Sequence, residues 1–465
     1  MLKTLSNNLF RAINSASIFY LTLGSVLVLL FGANHCDYEG YLQIVLHLII
    51  GCSASILILR RCFGQLAKTL GVYFLVAFCF MPILELLTAT IYWGGADLSY
   101  ISRFKANISI IVFLIMFIVG YSLRFRTSTF FPSLLKPKPL RLFEQIVFLV
   151  ISIGLISFVL SLYGWNYLTM FFRGGEYASD MEVELKSSYL LVDFFLRPLI
   201  FNIGMFLFFF GGRHKLVSII GLLVGMYAVF PTGVPRFLAA ALYMPFILNW
   251  AFTCAGYQKA GLRGLNLFLP NILIFGLFFI FPFLDIFRWY TSDGENTFDI
   301  FGLDTILSGH FDGYQMLVRA LDVGDLTFGF GFLGALLFFV PRSIWPEKPI
   351  GSAQEIAALS NLSFDNLSMT LVAELYLNFW YMGIFLGALL FGILFNRIDN
   401  SFANIRYYEV SVRWIFYFQA IGLVLFVLRG SFLSAFAYSS AVALSWVIIW
   451  WIYCAFHAIR PPASR

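Results

Sequence analysis

Residues 143–163 read FEQIVFLVISIGLISFVLSLY, and Glu144 is the only Asp, Glu, Lys or Arg among them. A run of this kind matches the roughly 17–25 apolar residues that carry an α-helix across the hydrocarbon of a bilayer. It lacks the apolar–polar alternation of a membrane β-barrel strand, so a helical solution is required. Working outward, comparable runs lie near 14–33, 41–59, 70–91, 107–123, 189–210, 216–231, 237–255, 265–287, 367–395, 413–428 and 432–456, which makes twelve expected spans. A further apolar run, 326–341, is Gly-rich and ends in Val340-Pro341-Arg342. It is too short to span and is expected to be re-entrant or interfacial.

Composition points the same way. Of 465 residues, 60% are hydrophobic and 12% charged, with 56 Phe and a mean hydropathy of +0.87. A soluble domain carries about 45–50% apolar and about 25% charged residues. The chain is therefore expected to be an all-α polytopic membrane protein in three parts: helices one to nine in 1–287, a large loop in 288–366 and the last three helices in 367–465.

Lysines and arginines set the expected orientation. With the N-terminus in the cytoplasm, 19 of the 30 basic residues fall inside, whereas of the 24 acids only Glu144, Asp399 and Glu409 do. Both termini are then cytoplasmic, and the loop 288–366 lies outside. The first apolar run is followed by His35-Cys36-Asp37 rather than a small-residue cleavage site, so it is expected to remain as a helix. The six cysteines (Cys36, Cys52, Cys62, Cys79, Cys254, Cys454) show no paired spacing and read as packing residues. A formal charge of +6 is accounted for by cytoplasmic loops on anionic lipid headgroups, so nucleic acid is not an expected partner.

Two outer segments exceed the rest, 164–188 and 288–366. The second is far longer than an ordinary connection, yet its Trp289, Tyr290, Phe298, Phe301, Phe311, Tyr314 and Trp345 are unlike a disordered composition. It is expected to form short helices packed on the outer membrane face. No internal repeat is evident, so the paired halves of many transporters have no counterpart here.

Outside, arginine is notable: Arg173, Arg236, Arg288, Arg319, Arg342 and Arg429. A guanidinium fork binds phosphate oxygens bidentately. Arg236 ends the turn Pro231-Thr232-Gly233-Val234-Pro235-Arg236, and Arg429 lies in Leu428-Arg429-Gly430-Ser431, both at the ends of long apolar helices. Each arginine taken alone fits equally well as a snorkelling or helix-capping residue, but several together favour a phosphate-bearing, lipid-anchored substrate.

Acid–base candidates are Glu374, Asp285, Asp193 and His310. Burial can tune a carboxyl for general acid or base work, and an imidazole can take a proton near neutral pH. Structural pairing of these carboxylates with the arginines, and a hydrogen-bonded structural role for His310, stand beside that reading. Neither an Asp-x-Asp pair nor a His-x-x-x-His cluster occurs in the outer segments, so no metal or other cofactor is expected.

The run Gly309-His310-Phe311-Asp312-Gly313-Tyr314, followed by Val340-Pro341-Arg342-Ser343-Ile344-Trp345-Pro346-Glu347-Lys348-Pro349-Ile350-Gly351, resembles the bacterial oligosaccharide repeat-unit polymerases, the Wzy-type O-antigen polymerases. Glu374-Leu375-Tyr376-Leu377-Asn378-Phe379 with Gly383, and Leu428-Arg429-Gly430, follow in the same order. The likeness in motifs covers 309–431, and its specific part is the run from Pro341 to Pro349.

This resemblance implies a fold like that of GT-C-type glycosyltransferases. It implies a bacterial inner-membrane enzyme that moves a growing glycan from undecaprenyl pyrophosphate onto a lipid-linked repeat unit. Arg236, Arg342 and Arg429 would then converge on the donor pyrophosphate, with Arg288 and Arg319 in support. Glu374 or His310 would activate the acceptor hydroxyl, and Trp345 and Tyr314 would stack on sugars. A chain-length regulator is an implied partner, beside membrane lipid. An O-antigen ligase and a lipid-linked oligosaccharide flippase are the rival readings.

Overall fold

The computed structural model describes residues 38–60, 62–123, 137–171, 192–254, 262–286, 309–364, 367–403 and 411–458. The first expected span, 14–33, lies outside the described residues, as do Arg173 and Arg288. Among the described residues the chain is helical, with one isolated bridge between Leu140 and Gly211 and no sheet.

In chain order the helices are α1 (Tyr38–Leu59), α2 (Gln65–Thr88), α3 (Tyr100–Ser122), α4 (Leu142–Leu162), α5 (Arg197–Phe210), α6 (Lys215–Ala228), α7 (Arg236–Cys254) and α8 (Leu262–Phe275). After them come α9 (Gly313–Val323), α10 (Phe330–Leu336), α11 (Ser352–Leu359), α12 (Leu371–Ala403), α13 (Val412–Arg429) and α14 (Phe432–Ala458). Every expected span except the first falls on one of these. Among the described residues seven helices, α1 to α4 and α12 to α14, are long and apolar enough to cross a membrane, while Phe194–Phe210, Lys215–Ala228 and Phe268–Ile280 are apolar but shorter. Phe143, Val150, Leu216, Leu390 and Trp451 are each more than 60% exposed, an outer surface suited to hydrocarbon.

Prolines explain the irregular turns. Val76–Phe80, Val192–Leu196 and Gly276–Ile280 are π-helical, and each ends one residue before an x-Pro step, at Pro82, Pro198 and Pro282. Proline cannot donate to the carbonyl four residues back, and widening the preceding turn relieves the clash. In α2 the carbonyl so abandoned is that of Phe78, and His47 of α1 takes it through Nδ1 at 2.8 Å. The long α12 bends without proline, at Phe379 and Trp380, where Trp380 has φ 58°.

α13 lies at the centre and packs on α2, α7, α12 and α14; α3 lies along α12, and α5 along α6. Small residues allow the closest approaches: Gly120 of α3 meets the Leu389 carbonyl of α12, and Gly422 of α13 meets the backbone of Ala241 in α7. At the opposite end from Arg429, Asp399 of α12 accepts from Tyr121 Oη (2.9 Å), Tyr417 Oη (2.6 Å) and Leu66 N (3.2 Å), capping the start of α2 from another helix.

The long loop departs from expectation. α10 is seven residues and falls short of a span, but α9 is not a surface helix: Gly313 through Leu321 are buried against α3 and α12. α9 is driven inward because its apolar residues alternate with Gln315 and Arg319, whose polar heads find partners inside.

Candidate functional site

Two turns bring two arginines to one place. Pro231 and Pro235 bracket a turn pinned by Thr232 Oγ1 donating to Phe171 O at 2.5 Å, and α7 starts at Arg236. α13 ends at Arg429, where Met369 N donates to the Arg429 carbonyl at 2.9 Å. Because α7 and α13 pack side by side, the first residue of one and the last of the other share an end of the bundle. Arg429 suits the negative end of the α13 dipole; Arg236, at the positive end of α7, donates through Nη1 to Phe281 O at 2.8 Å.

Between them opens a cleft lined by Tyr73 and Ala77 of α2, Phe237, Leu277, Phe281 and Phe311 together with both arginines. The guanidinium of Arg236 lies 5.8 Å from the Phe281 ring centroid and that of Arg429 lies 5.2 Å from Phe237. Aromatic faces beside a cation leave it attractive to an anion while screening it from water. Arg429 Nε is buried with no partner among the described residues, so one donor of the fork remains open.

Asp312, which sequence reasoning did not single out, holds Arg429. Its Oδ1 lies 3.5 Å from Arg429 Nη2 and accepts from Ser368 Oγ; its Oδ2 accepts from Trp93 Nε1 at 3.0 Å. The carboxylate is 1% exposed and fully engaged, so it serves as a counter-charge and not as a free base. Arg236 and Arg429 bring two guanidiniums to the cleft, and Asp312 sets a carboxylate beside the second. The signal was present in the sequence, since Asp312 sits inside the Gly309-to-Tyr314 run, yet nothing local linked it to Arg429.

The remaining expectations divide. The backbone of His310 lies in the 3₁₀ turn Gly309–Phe311 that borders the cleft, and its side chain is outside the described residues, as is all of Arg288. Glu374, in the first turn of α12, does not line the cleft. It is buried and accepts from Ser352 Oγ and from Phe432 N at 2.7 Å, joining α11 to the start of α14.

Three expected substrate contacts are not among the residues that line the cleft. Arg342 turns its fork on its own loop, donating to Lys348 O at 2.7 Å and Pro349 O at 3.3 Å, and it stands apart from the cleft lining. Lys348 in turn donates to Val340 O at 3.0 Å; burial, then the Arg342 charge, push its amine below the usual lysine range. Arg319 is buried and spends its fork on Gly94 O (2.8 Å) and Ala96 O (3.3 Å), so it anchors the 90–98 loop; burial lowers its pKa against the pull of Asp322. Tyr314 has no face open to a sugar, being fully buried with its ring edge-on to His47 at 4.8 Å. Trp345 is half-buried, with its ring set edgewise on Phe330 at 5.5 Å.

Among the described residues no cluster of His, Cys, Asp and Glu is arranged to hold a metal ion. Compared with family models, curated proteins and solved structures, the chain matches none.

Proposed function

We propose that the chain is an oligosaccharide repeat-unit polymerase: it transfers a growing glycan from undecaprenyl pyrophosphate to a lipid-linked repeat unit at the outer face of a bacterial cytoplasmic membrane. The observation that carries this reading is the pairing of Arg236 and Arg429 in one aromatic-walled cleft at one end of a helix bundle with an apolar exterior. The likeness of the 309–431 motifs to Wzy-type polymerases supports it, because their Gly309-to-Tyr314 run borders this cleft and Arg429 enters it. The reading includes twelve spans, both termini cytoplasmic and the Arg429 end outward.

In this reaction an acceptor sugar hydroxyl attacks the anomeric carbon of the donor glycan. The new C–O bond forms as the bond to the pyrophosphate oxygen breaks, and undecaprenyl pyrophosphate departs with the electron pair. The negative charge growing on that oxygen meets two guanidiniums already in place, which is the form of stabilisation that lowers a barrier most. The hydroxyl proton passes to a base, for which His310, whose turn borders the cleft, and Glu374, in the first turn of α12, are the candidates.

The test is reconstitution in lipid nanodiscs with undecaprenyl pyrophosphate-linked repeat units from the host. Chain growth with release of undecaprenyl pyrophosphate is the expected result. Transfer of a finished chain to lipid A core without growth would make it a ligase, and movement of the lipid-linked unit across a vesicle bilayer without bond formation would make it a flippase.

A further inference from the structure

The stretch 326–341 carries no charged residue, and the proposed reaction gives it no part. Its helix, α10, has two faces. Gly334 and Ala335 are buried, whereas Phe330, Leu333 and Leu336, spaced three apart and so on one side of the helix, are exposed. Phe328 and Phe339, which flank the helix in the chain, are 84% and 68% exposed. Large apolar side chains gathered in this way mark a surface that something covers.

The other face places α10 at one end of the bundle. Phe332 stacks on Phe432 at 4.8 Å between ring centroids, and Phe338 meets Phe436 edgewise at 6.4 Å. α10 therefore rests on the first turns of α14, beside the end that bears Arg429. α14 has 27 residues. At 1.5 Å per residue it is about 40 Å long, more than a hydrocarbon core of about 30 Å, so its first turn stands near the level of the headgroups. The side of α14 on which Phe436 lies continues as the exposed Val447 and Trp451, three and four turns farther on. The exposed face of α10 is thus in line with a flank of the bundle suited to hydrocarbon.

The backbone of the segment is prepared for the same surroundings. Beyond α10 the chain is irregular, and a carbonyl left unpaired in an apolar medium is costly. Lys348 Nζ donates to Phe338 O at 2.5 Å and to Val340 O at 3.0 Å, while Arg342 donates to Lys348 O and Pro349 O. At the start of α10, where the first amides of a helix lack acceptors, Asn378 Oδ1 of α12 accepts from Phe332 N at 2.7 Å. Thr327 has the only side chain of 326–341 that can hydrogen-bond, and it is spent on Leu377 O and Asn378 Oδ1. A glycan would find rings here and no polar side chain to bond its hydroxyls.

We propose that residues 328–339 are seated in the lipid leaflet at the Arg429 end of the bundle, with acyl chains covering Phe330, Leu333 and Leu336. Arg342 and Lys348 hold the carbonyls of the loop, which lets its backbone enter the boundary between headgroups and chains. The basic residues of the 341–349 run thus serve this membrane seat and not a substrate phosphate. The seat requires only a helical membrane protein and stands whether or not the chain is a polymerase.

The experiment is spin labelling of Leu333→Cys, Phe339→Cys, Glu347→Cys and Leu390→Cys, each in the full chain without its six native cysteines, in phosphatidylcholine nanodiscs. Collision with oxygen, which partitions into lipid, is compared with collision with a water-soluble nickel chelate. Labels at 333 and 339 should favour oxygen several-fold, as should the label at 390 on the exposed flank of α12, while the label at 347 favours nickel. A preference for nickel at 333 and 339 would make this a water-facing surface, and exclusion of both reagents would mean that a second copy or another protein covers it. Either result overturns the proposal. Lys348→Met strips two carbonyls of their donor and should shift the 339 label toward nickel; no shift would overturn the role given to the amine. Leu336→Cys takes the place of either α10 label that prevents folding.

Discussion

At the scale of the residue, the account rests on one ion pair and what surrounds it. Asp312→Asn keeps the shape of the pocket around Arg429 but removes its counter-charge, and should lower stability by about 1–3 kcal/mol in a denaturation series. No change in stability would mean that the Asp312–Arg429 contact is incidental. Arg429→Lys retains a charge and loses the fork, so chain growth should fall on the order of 10²-fold, near the loss from removing a single oriented donor. Lysine activity equal to that of arginine would remove bidentate recognition from the scheme. A third residue gives a pH test away from the spans. Glu355 of α11 has its carboxyl pushed above the usual carboxylate range, by burial first and the Asp325 charge second. Its proton is held more tightly in the folded chain, so the associated stability is present below the ordinary Glu value of about 4.3 and is lost as pH rises through the folded value. Relative to wild type, Glu355→Gln should therefore be more stable at pH 7 than at pH 4. An equal difference at both pH values would contradict the assigned environment.

At the scale of the element, much was legible and the reason is physical. A segment that must satisfy its backbone within hydrocarbon has few ways to do so, and α1 to α8 and α12 to α14 fall where apolar runs of sufficient length occur. Arg236 and Arg429 were legible as well, because each stands at the boundary between an apolar run and a turn rich in Pro or Gly. The partners were not. Asp312 is remote from Arg429 in sequence, and the inward course of α9, which buries Tyr314 and closes the Arg319 fork, depends on the groove left by α3 and α12. The loop partners of Arg342 were not legible either, since a short loop offers carbonyls as readily as a substrate offers phosphate. The π turns carry their own test. His47→Phe should strand the Phe78 carbonyl that Pro82 leaves without a helical donor, with a loss of about 1–3 kcal/mol. The double variant His47→Phe, Pro82→Ala returns a backbone donor to α2 and should recover part of that loss; no recovery would break the link between proline and imidazole.

At the scale of the whole molecule, an apolar exterior encloses buried polar groups at both ends of the bundle, Asp399 at one and Asp312 at the other. The proposed topology sets the 341–349 loop on the outer side. In a background lacking the six native cysteines, Glu347→Cys should react with a membrane-impermeant maleimide added to intact spheroplasts, and a fluorescent protein fused at the C-terminus should fold in the cytoplasm. Labelling only after lysis would invert the proposed orientation.

The most direct measurement is a gel of surface polysaccharide from the host with this gene deleted, complemented by wild type, Arg236→Ala or Arg429→Ala expressed at equal levels. Wild type should restore a ladder of chain lengths, and each variant should leave a single repeat unit attached. A ladder of wild-type length from the Arg236→Ala, Arg429→Ala double variant would contradict the central claim that these two guanidiniums handle the departing pyrophosphate.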